Sequence, residues 1–284
     1  MTPSYNQGLF IEETIRSVLL QGYPNLQYIV MDGGSTDNTL SILRKYEHAI
    51  DFWASERDQG QAAAINKGFA RANGDILAWL NSDDTYELGV LSAVAKTFQQ
   101  HPDADVVSGR CRQWYGNNSD QLIGPSPLRC FDDFLRIRSN WLNGRLIVQP
   151  EAFFRRRAFE KIGSLREELY YCFDACMWMD MAKRGCVFHS VDQHWANLRR
   201  HDGQKISNLV ATRQELARVV RDQLRKNWDS VENPPVVLEE LLCVLDDLLF
   251  VLDDLLGSER KVSRALRESR SYRVGRLLAK MKLW

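Results

Sequence analysis

The stretch Gly74 to Asp84, Gly-Asp-Ile-Leu-Ala-Trp-Leu-Asn-Ser-Asp-Asp, constrains this chain more than any other. Its apolar run, Ile76 to Leu80, is bounded by polar residues and predicts a buried strand of a parallel sheet. Asp83 and Asp84 then fall at that strand's carboxyl end, where open α/β sheets hold their ligands. Hard carboxylate oxygens there suit Mg2+ or Mn2+, and such an ion neutralises a bound diphosphate. The same two acids also suit the first turn of a following helix, where they oppose the macrodipole.

The flanking sequence repeats one pattern. Ile11, Ile15, Val18 and Leu19 carry helical spacing over 9–21, and Gly22-Tyr-Pro-Asn ends it. Tyr28 to Met31 reads as a buried strand and 32–37 as a polar turn, with Thr36 or Asp37 as cap of a helix over 38–46. A strand at 52–54, a helix over 61–72, the strand at 76–80, a helix near 86–99 and a strand at 105–107 follow. Alternating strands and helices of this length predict βαβ units and an α/β fold. Residues 1–8 read as loop, so the first strand is expected to be missing, by truncation or with another segment in its slot. Farther on, the pattern predicts a short strand at 146–148 and a basic helix over 153–162. A helix over 173–184 stopped by Gly185, a strand at 186–188 and a helix from Ser207 to about Asn227 complete it.

The end of the chain is of another kind. Residues 237–243, 244–250 and 251–257 are three successive heptads, the first two with five apolar positions and the third with four and Gly257, in an acidic helix. That stripe is wider than a two-stranded coiled-coil seam and calls for burial against the rest of the chain or in a homo-oligomer. Residues 260–282 then carry nine Lys or Arg and one Glu. This basic tail suits either the acidic helix or, as a peripheral contact, an anionic membrane surface. Lys plus Arg equals Asp plus Glu at 37 each, so net charge gives no reason to expect nucleic acid. No secretory signal opens the sequence and no uncharged apolar run reaches the ~20 residues of a membrane span. The six cysteines form no framework and fit reduced thiols, which points to a cytoplasmic protein, peripheral at most to the inner face of the membrane. Cys172 and Cys176 with His189 and His194 are spaced too widely for an ordinary zinc site. A dinucleotide dehydrogenase lacks its GxGxxG here.

Four stretches in chain order, Thr2–Gln7, Met31–Asp37, Asp58–Asn66 and Asn81–Asp84, together resemble the family 2 glycosyltransferases of the GT-A fold. The resemblance covers about residues 1–207 and implies an inverting transferase that moves a hexose from a nucleotide-sugar, usually a UDP-sugar. It implies a nucleotide-binding half over 1–110, an acceptor half over 111–207, and a helical C-terminal region over 208–284. Carried over, Asp32 contacts the base, Pro3, Ser4 and Tyr5 form the loop beside base and ribose, and Asp58 and Asn66 approach the nucleotide. Asn81-Ser82-Asp83 stands at the family's DxD motif, with Asp83 as metal ligand for Mn2+ or Mg2+. The first acid of that motif is here Asn81, whose amide still hydrogen-bonds a ribose hydroxyl.

On the acceptor side, the segment around Gln149 precedes the acceptor site, and Asp174 matches the base that takes the acceptor hydroxyl's proton. Phe173, in place of the family's frequent acid, is expected to desolvate Asp174 and raise its pKa. Trp178 flanks it. Arg199, Arg200, His201 and Lys205 resemble the family's Arg-x-His segment, with His201 reaching the metal or diphosphate and the basic residues offsetting phosphate charge. The implied partners are a nucleotide-sugar donor and a glycan, lipid-linked or other hydroxyl acceptor in polysaccharide or cell-envelope synthesis. The alternative is a degenerate GT-A-like scaffold acting through its C-terminal helices. Asn81 and the expected loss of the first strand favour it, and the intact Asp32, Asp83 and Asp174 oppose it.

Overall fold

The computed structural model describes residues 1–115, 120–201 and 203–256. The first half alternates as expected: β1 (Thr2–Ser4), α1 (Ile11–Leu19), β2 (Ile29–Asp32), α2 (Thr39–Tyr46), β3 (Phe52–Ser55), α3 (Gln61–Arg71) and β4 (Ile76–Leu77). Then come β5 (Thr85–Tyr86), α4 (Val90–Gln100), β6 (Val106–Trp114), β7 (Gln121–Ile123) and α5 (Phe131–Leu135). The chain continues through β8 (Ala152–Arg155), α6 (Arg156–Ile162), α7 (Phe173–Lys183), β9 (Phe188–Arg199), α8 (Leu209–Lys226) and α9 (Pro234–Leu256).

β1, β2 and β3 are parallel neighbours in that order, with Ser4 opposite Asp32 and Asp32 opposite Ser55. β4, β8, β6, β9 and β5 follow one another in a mixed set, in which only β6 and β9 run parallel, and β7 pairs with β6. Met1 links the two sets. Its amine donates to Ala78 O at 2.9 Å and its carbonyl accepts from Leu80 N at 3.0 Å, a parallel rung beside Trp79. The carboxyl ends of β1, β2 and β3 and the turn Asn81–Asp84 therefore open on one edge.

Several expectations need correction. The slot beside β2 is filled by β1 itself, so the strand read as missing is present at Thr2–Ser4. All three of its residues are buried, and Thr2 Oγ1 and Tyr28 Oη lie 3.0 Å apart. A polar triplet gave no apolar run to announce it. The segment 153–155 is strand rather than helix, because Ala152–Arg155 is covered on both sides by β4 and β6, and the basic helix starts at Arg156. No strand forms at 146–148, where a short 3-10 turn at Gln149–Glu151 follows instead. Thr85–Tyr86 pairs with β9 before α4 begins. The strand expected at 186–188 is in fact the start of the longer β9.

The apolar positions read as helix faces are the buried ones. Ile11, Ile15 and Val18 of α1 are covered, and Ala62, Ala63, Ala64 and Ile65 let α3 lie close over β1 and β2. One buried cluster groups Trp79, Phe154, Phe173 and Trp178 with α8 (Leu216, Val219, Val220, Leu224) and α9 (Val237, Leu238, Leu241, Val244). The first heptad's apolar stripe is therefore covered by this chain's own core. The side chains from Asp246 onward, and the basic tail, lie outside the described residues. Among the described residues no helix is long and apolar enough to cross a membrane.

Gly109 sits where the β6–β9 register shifts, between Ser108 and Arg110. A Cβ there would lie 2.5 Å from the buried Trp195 ring and 2.7 Å from Gln193 O. Neither neighbour can retreat without moving the strand. Gly109→Ala is expected to lower unfolding free energy by about 1–3 kcal/mol, read as an earlier midpoint in urea.

Candidate active site

Asp32 ends β2 and is almost fully buried, yet well solvated by the protein. Its Oδ2 accepts from Gly34 N (3.1 Å), Ser35 N (2.9 Å) and Ser55 Oγ (2.6 Å), and its Oδ1 accepts from Ser35 Oγ (2.5 Å). Oδ1 thus keeps a lone pair for a ligand N–H. Asn6 N donates to Ser35 Oγ (2.7 Å) and Asn6 Oδ1 accepts from Thr36 N (2.9 Å), which fastens the loop after β1 to the loop after β2. Pro3 and Ser4 are buried beneath that loop, while Tyr5 is 60% exposed at its tip. Asp58 closes the same wall. Its Oδ1 accepts from Gly60 N (2.8 Å), and its Oδ2 would stand 3.0 Å from a Cβ on Gly33, so a side chain there would press on this carboxylate.

The turn after β4 carries the second group. Gln61 Nε2 donates to Asn81 Oδ1 (2.7 Å), and Asn81 Nδ2 donates to Asp84 Oδ2 (3.3 Å). Ser82 and Asp84 are buried. Burial first, and the charge of Asp83 second, push the Asp84 carboxyl well above its usual range. Its Oδ1 receives Arg199 N (3.1 Å) and its backbone carbonyl receives Thr14 Oγ1 (2.8 Å), so Asp84 anchors the turn. Asp83 faces the loop 199–205 instead. His201 Nε2 lies 3.1 Å from Asp83 Oδ2, and Gln204 Nε2 donates to that same oxygen at 3.0 Å. The Phe10 ring, centred 4.7 Å from the imidazole, fixes its plane.

Asp174 occupies the first turn of α7, its Oδ1 accepting from Ala175 N at 2.7 Å. Burial raises its pKa to about 6, against the pull of that N–H, and the nearby Glu215 adds to the rise. Phe173 and Ala175 on either side of it are buried, while Asp174 itself is partly covered. Lys205 lies between this element and Asp58. Its Nζ lies 4.1 Å from the Tyr170 ring centre, burial lowers its pKa, and it feels the charges of Asp58 and Glu215.

The remaining residues singled out from sequence lie around these groups in other ways. Arg199 is spent on structure: its guanidinium pairs with Glu13, donates to Asp83 O (3.2 Å) and stacks between Phe10 and Trp114. Arg200 bonds through its backbone N–H to Trp114 O (2.8 Å), and its buried Nε has no partner among the described residues. Gln149 is buried and donates to Trp79 O at 2.6 Å, holding the strand that leads to Asn81. Trp178, 1% exposed, stacks on Trp79 within the core and lies under the site rather than in it. Asn66 also turns away. It bonds both Leu165 N (2.9 Å) and Leu165 O (3.0 Å) and donates to Glu167 (2.8 Å), tethering a loop a hundred residues later.

Asn6, Ser35, Ser55, Gln61, Gln204 and Glu215 were not singled out from sequence. The first four lie in or beside the motif stretches and Gln204 lies between His201 and Lys205 of the Arg-x-His segment, whereas Glu215 carries no local signal.

Asp83 and His201 offer one oxygen and one nitrogen to a divalent cation, with Asp32 and Asp58 farther along the wall. Among the described residues no group of three or more acidic, histidine or cysteine side chains could enclose an ion. Mg2+ and Mn2+ retain waters and take substrate phosphates as ligands beside one or two carboxylates. A separate cavity of about 460 Å³, lined by Tyr28, Ile29, Ile76 and Leu77, lies at the opposite strand ends and holds none of these groups.

Residues 1–163 match the family model for glycosyl transferase family 2. TuaG of Bacillus subtilis, described as a teichuronic acid biosynthesis glycosyltransferase, is 29% identical over 213 residues, 73% of this chain and 81% of that protein. An uncharacterized glycosyltransferase of Mycobacterium tuberculosis is 32% identical over 168 residues, 57% of this chain and 60% of its own length. The solved S. aureus TarS 1–349 with UDP superposes with a TM-score of 0.61 at 18% identity, covering 87% of this chain and 70% of that one. The mannosyltransferase PcManGT of Pyrobaculum calidifontis, solved with GDP-Man and Mn2+, gives 0.63 at 18% identity, over 95% and 78%. At that identity the structures establish the fold, which is GT-A.

Proposed function

The chain belongs to glycosyl transferase family 2 and is a glycosyltransferase; from that premise we propose that it moves a hexose from a UDP-sugar to a hydroxyl acceptor, with inversion and with Mn2+ or Mg2+. The acceptor is a glycan or lipid-linked sugar of the cell envelope, by analogy with the teichuronic acid role described for TuaG. One observation carries this reading. The loop 199–205 meets Asp83 through His201 and Gln204, and meets Tyr170, four residues before Asp174, through Lys205. These contacts support a donor site around Asp83 and a base at Asp174 served by one segment of the chain.

In this reading Asp32 and the loop bearing Tyr5 take the base and ribose, and Asn81 a ribose hydroxyl. Asp83 and His201 hold the ion, which acts as a Lewis acid on the diphosphate when bound. Lys205 and Arg200 offset the phosphate charge. The acceptor oxygen attacks the anomeric carbon as Asp174 takes its proton. The bond from that carbon to the diphosphate oxygen breaks, and the nucleoside diphosphate leaves with the electron pair. Residues 1–207 form the catalytic unit, and α8 and α9 buttress it. The test is nucleoside diphosphate release from UDP-glucose, UDP-N-acetylglucosamine, GDP-mannose and dTDP-glucose. Release from one UDP-sugar, dependent on Mn2+ and abolished by EDTA, is expected. Release only from a GDP- or dTDP-sugar, or undiminished by EDTA, would overturn the donor or the metal assignment.

A further inference from the structure

The segment leading into α7 is irregular, so its backbone N–H groups need partners from elsewhere. They find them on α8. Glu215 accepts from three successive amides: Tyr170 N (3.1 Å), Tyr171 N (2.7 Å) and Cys172 N (2.8 Å). The same helix takes the Cys172 thiol, whose Sγ donates to Thr212 O at 3.4 Å. The Glu215 side chain is only 11% exposed, and its nearest cation, Arg218, stands 3.8 Å away on its own helix. A carboxylate bound by three N–H groups makes charge-assisted bonds with directions fixed by the backbone. It is therefore the element that decides where Cys172, the N-cap of α7, begins that helix, and hence where Asp174 stands two residues later.

We propose that Glu215 is a positioning residue for Asp174, so that α8, from the C-terminal helical region, completes the acceptor side of the active site. This rests on the reading of Asp174 as the base. Glu215 touches neither donor nor acceptor in this role; it acts through the backbone of Tyr170–Cys172. The ionisable groups near Asp174 are Glu215 from α8 and the buried Cys172 from its own segment. Removing the Glu215 charge should therefore also let Asp174 ionise at lower pH, and Glu215→Gln, which removes the charge and keeps the volume, separates that effect from lost burial.

The experiment compares Glu215→Ala, Glu215→Gln and Asp174→Asn with the parent chain. Two readings need no substrate: amide hydrogen exchange at Tyr170–Cys172, and titration of the Asp174 carboxyl by carbon-13 NMR. The third is kcat and KM for nucleoside diphosphate release from UDP-glucose, UDP-N-acetylglucosamine and GDP-mannose, with water in the acceptor's place. In Glu215→Ala the three amides should exchange at least ~10-fold faster and kcat should fall about 10- to 100-fold, the scale of a misplaced catalytic group. Donor KM should stay within about twofold, and the Asp174 titration should move to lower pH. Glu215→Gln, which keeps an acceptor oxygen, should retain part of the protection and part of the rate. Unchanged exchange, an unmoved titration, or kcat lost in step with donor binding and Tm would overturn the proposal. An inactive Asp174→Asn beside a normal Glu215→Ala sinks this inference alone. A fully active Asp174→Asn sinks the assignment of the base, and this inference with it.

Discussion

Asp174→Asn is expected to reduce kcat by about 10²- to 10⁴-fold, the usual share of a positioned general base, while nucleotide binding stays unchanged. The asparagine keeps the bond from Ala175 N and the volume of the aspartate, so the first turn of α7 remains in place. What it loses is the ability to take a proton. The parent enzyme should show the signature of that group in its pH profile. With a pKa raised to about 6, Asp174 is protonated and idle below that pH, so kcat/KM should climb to about pH 6 and then level off. The variant's residual rate should lack this limb.

The same substitution should make the protein more stable, and the sign follows from the direction of the shift. Asp174 has a higher pKa folded than unfolded, so the native state holds the extra proton between about pH 4 and pH 6. Its contribution to stability falls across that window and stays low above it. At neutral pH the ionised carboxylate costs the fold up to about 3 kcal/mol, which the neutral amide does not. A higher Tm for Asp174→Asn at pH 7.5, with the gap closing at pH 4, is the expected result. An equal or lower Tm at pH 7.5 would mean that the site solvates its carboxylate better than its burial implies.

Asp83→Ala carries the second large effect. Its carboxylate faces His201 and Gln204, whereas Asp84 is buried in the turn and spoken for by Arg199 and Asn81. In the proposed site the variant leaves His201 as the single remaining protein ligand. UDP with Mn2+ should then raise the parent's Tm and leave the variant's unmoved. Directly measured affinity for UDP in Mn2+ should fall by at least about 10²-fold, since a bridging ion contributes several kcal/mol and 1.4 kcal/mol is tenfold. Asp84→Asn should behave differently and mainly alter stability. If UDP stabilises Asp83→Ala and the parent equally, the ion is held elsewhere or is not needed.

Much of the donor half was legible because its strands and helices announce themselves by period. Ile11, Ile15 and Val18, or Ile42 and Leu43 of α2, are buried where the pattern places them. The misses share a physical cause. β1 is strand because β2 supplies its hydrogen bonds, and no propensity in Thr-Pro-Ser says so. β8 and β9 are likewise defined by partners: Phe153 and Phe154 fit a helix face as readily as a strand covered on both sides, and the polar alternation of β9 reads as loop. Site residues divided in the same way. Asp32, Asp83 and Asp174 stand at element ends, where a motif and a geometry coincide. Asn66 and Trp178 matched by position, yet their side chains serve a loop tether and the core, which only tertiary contacts could decide. Glu215 was invisible, since its meaning lies wholly in amides more than forty residues earlier.

The anomeric configuration of the first-formed product tests the account most directly, because it asks whether one base and one displacement suffice. Proton NMR on a UDP-α-sugar turned over with Mn2+, read before mutarotation erases the signal, gives the answer. The account predicts a β product from the α donor, with that turnover lost in Asp174→Asn. An α product would contradict direct displacement, and Asp174 would lose the role on which the mechanism rests.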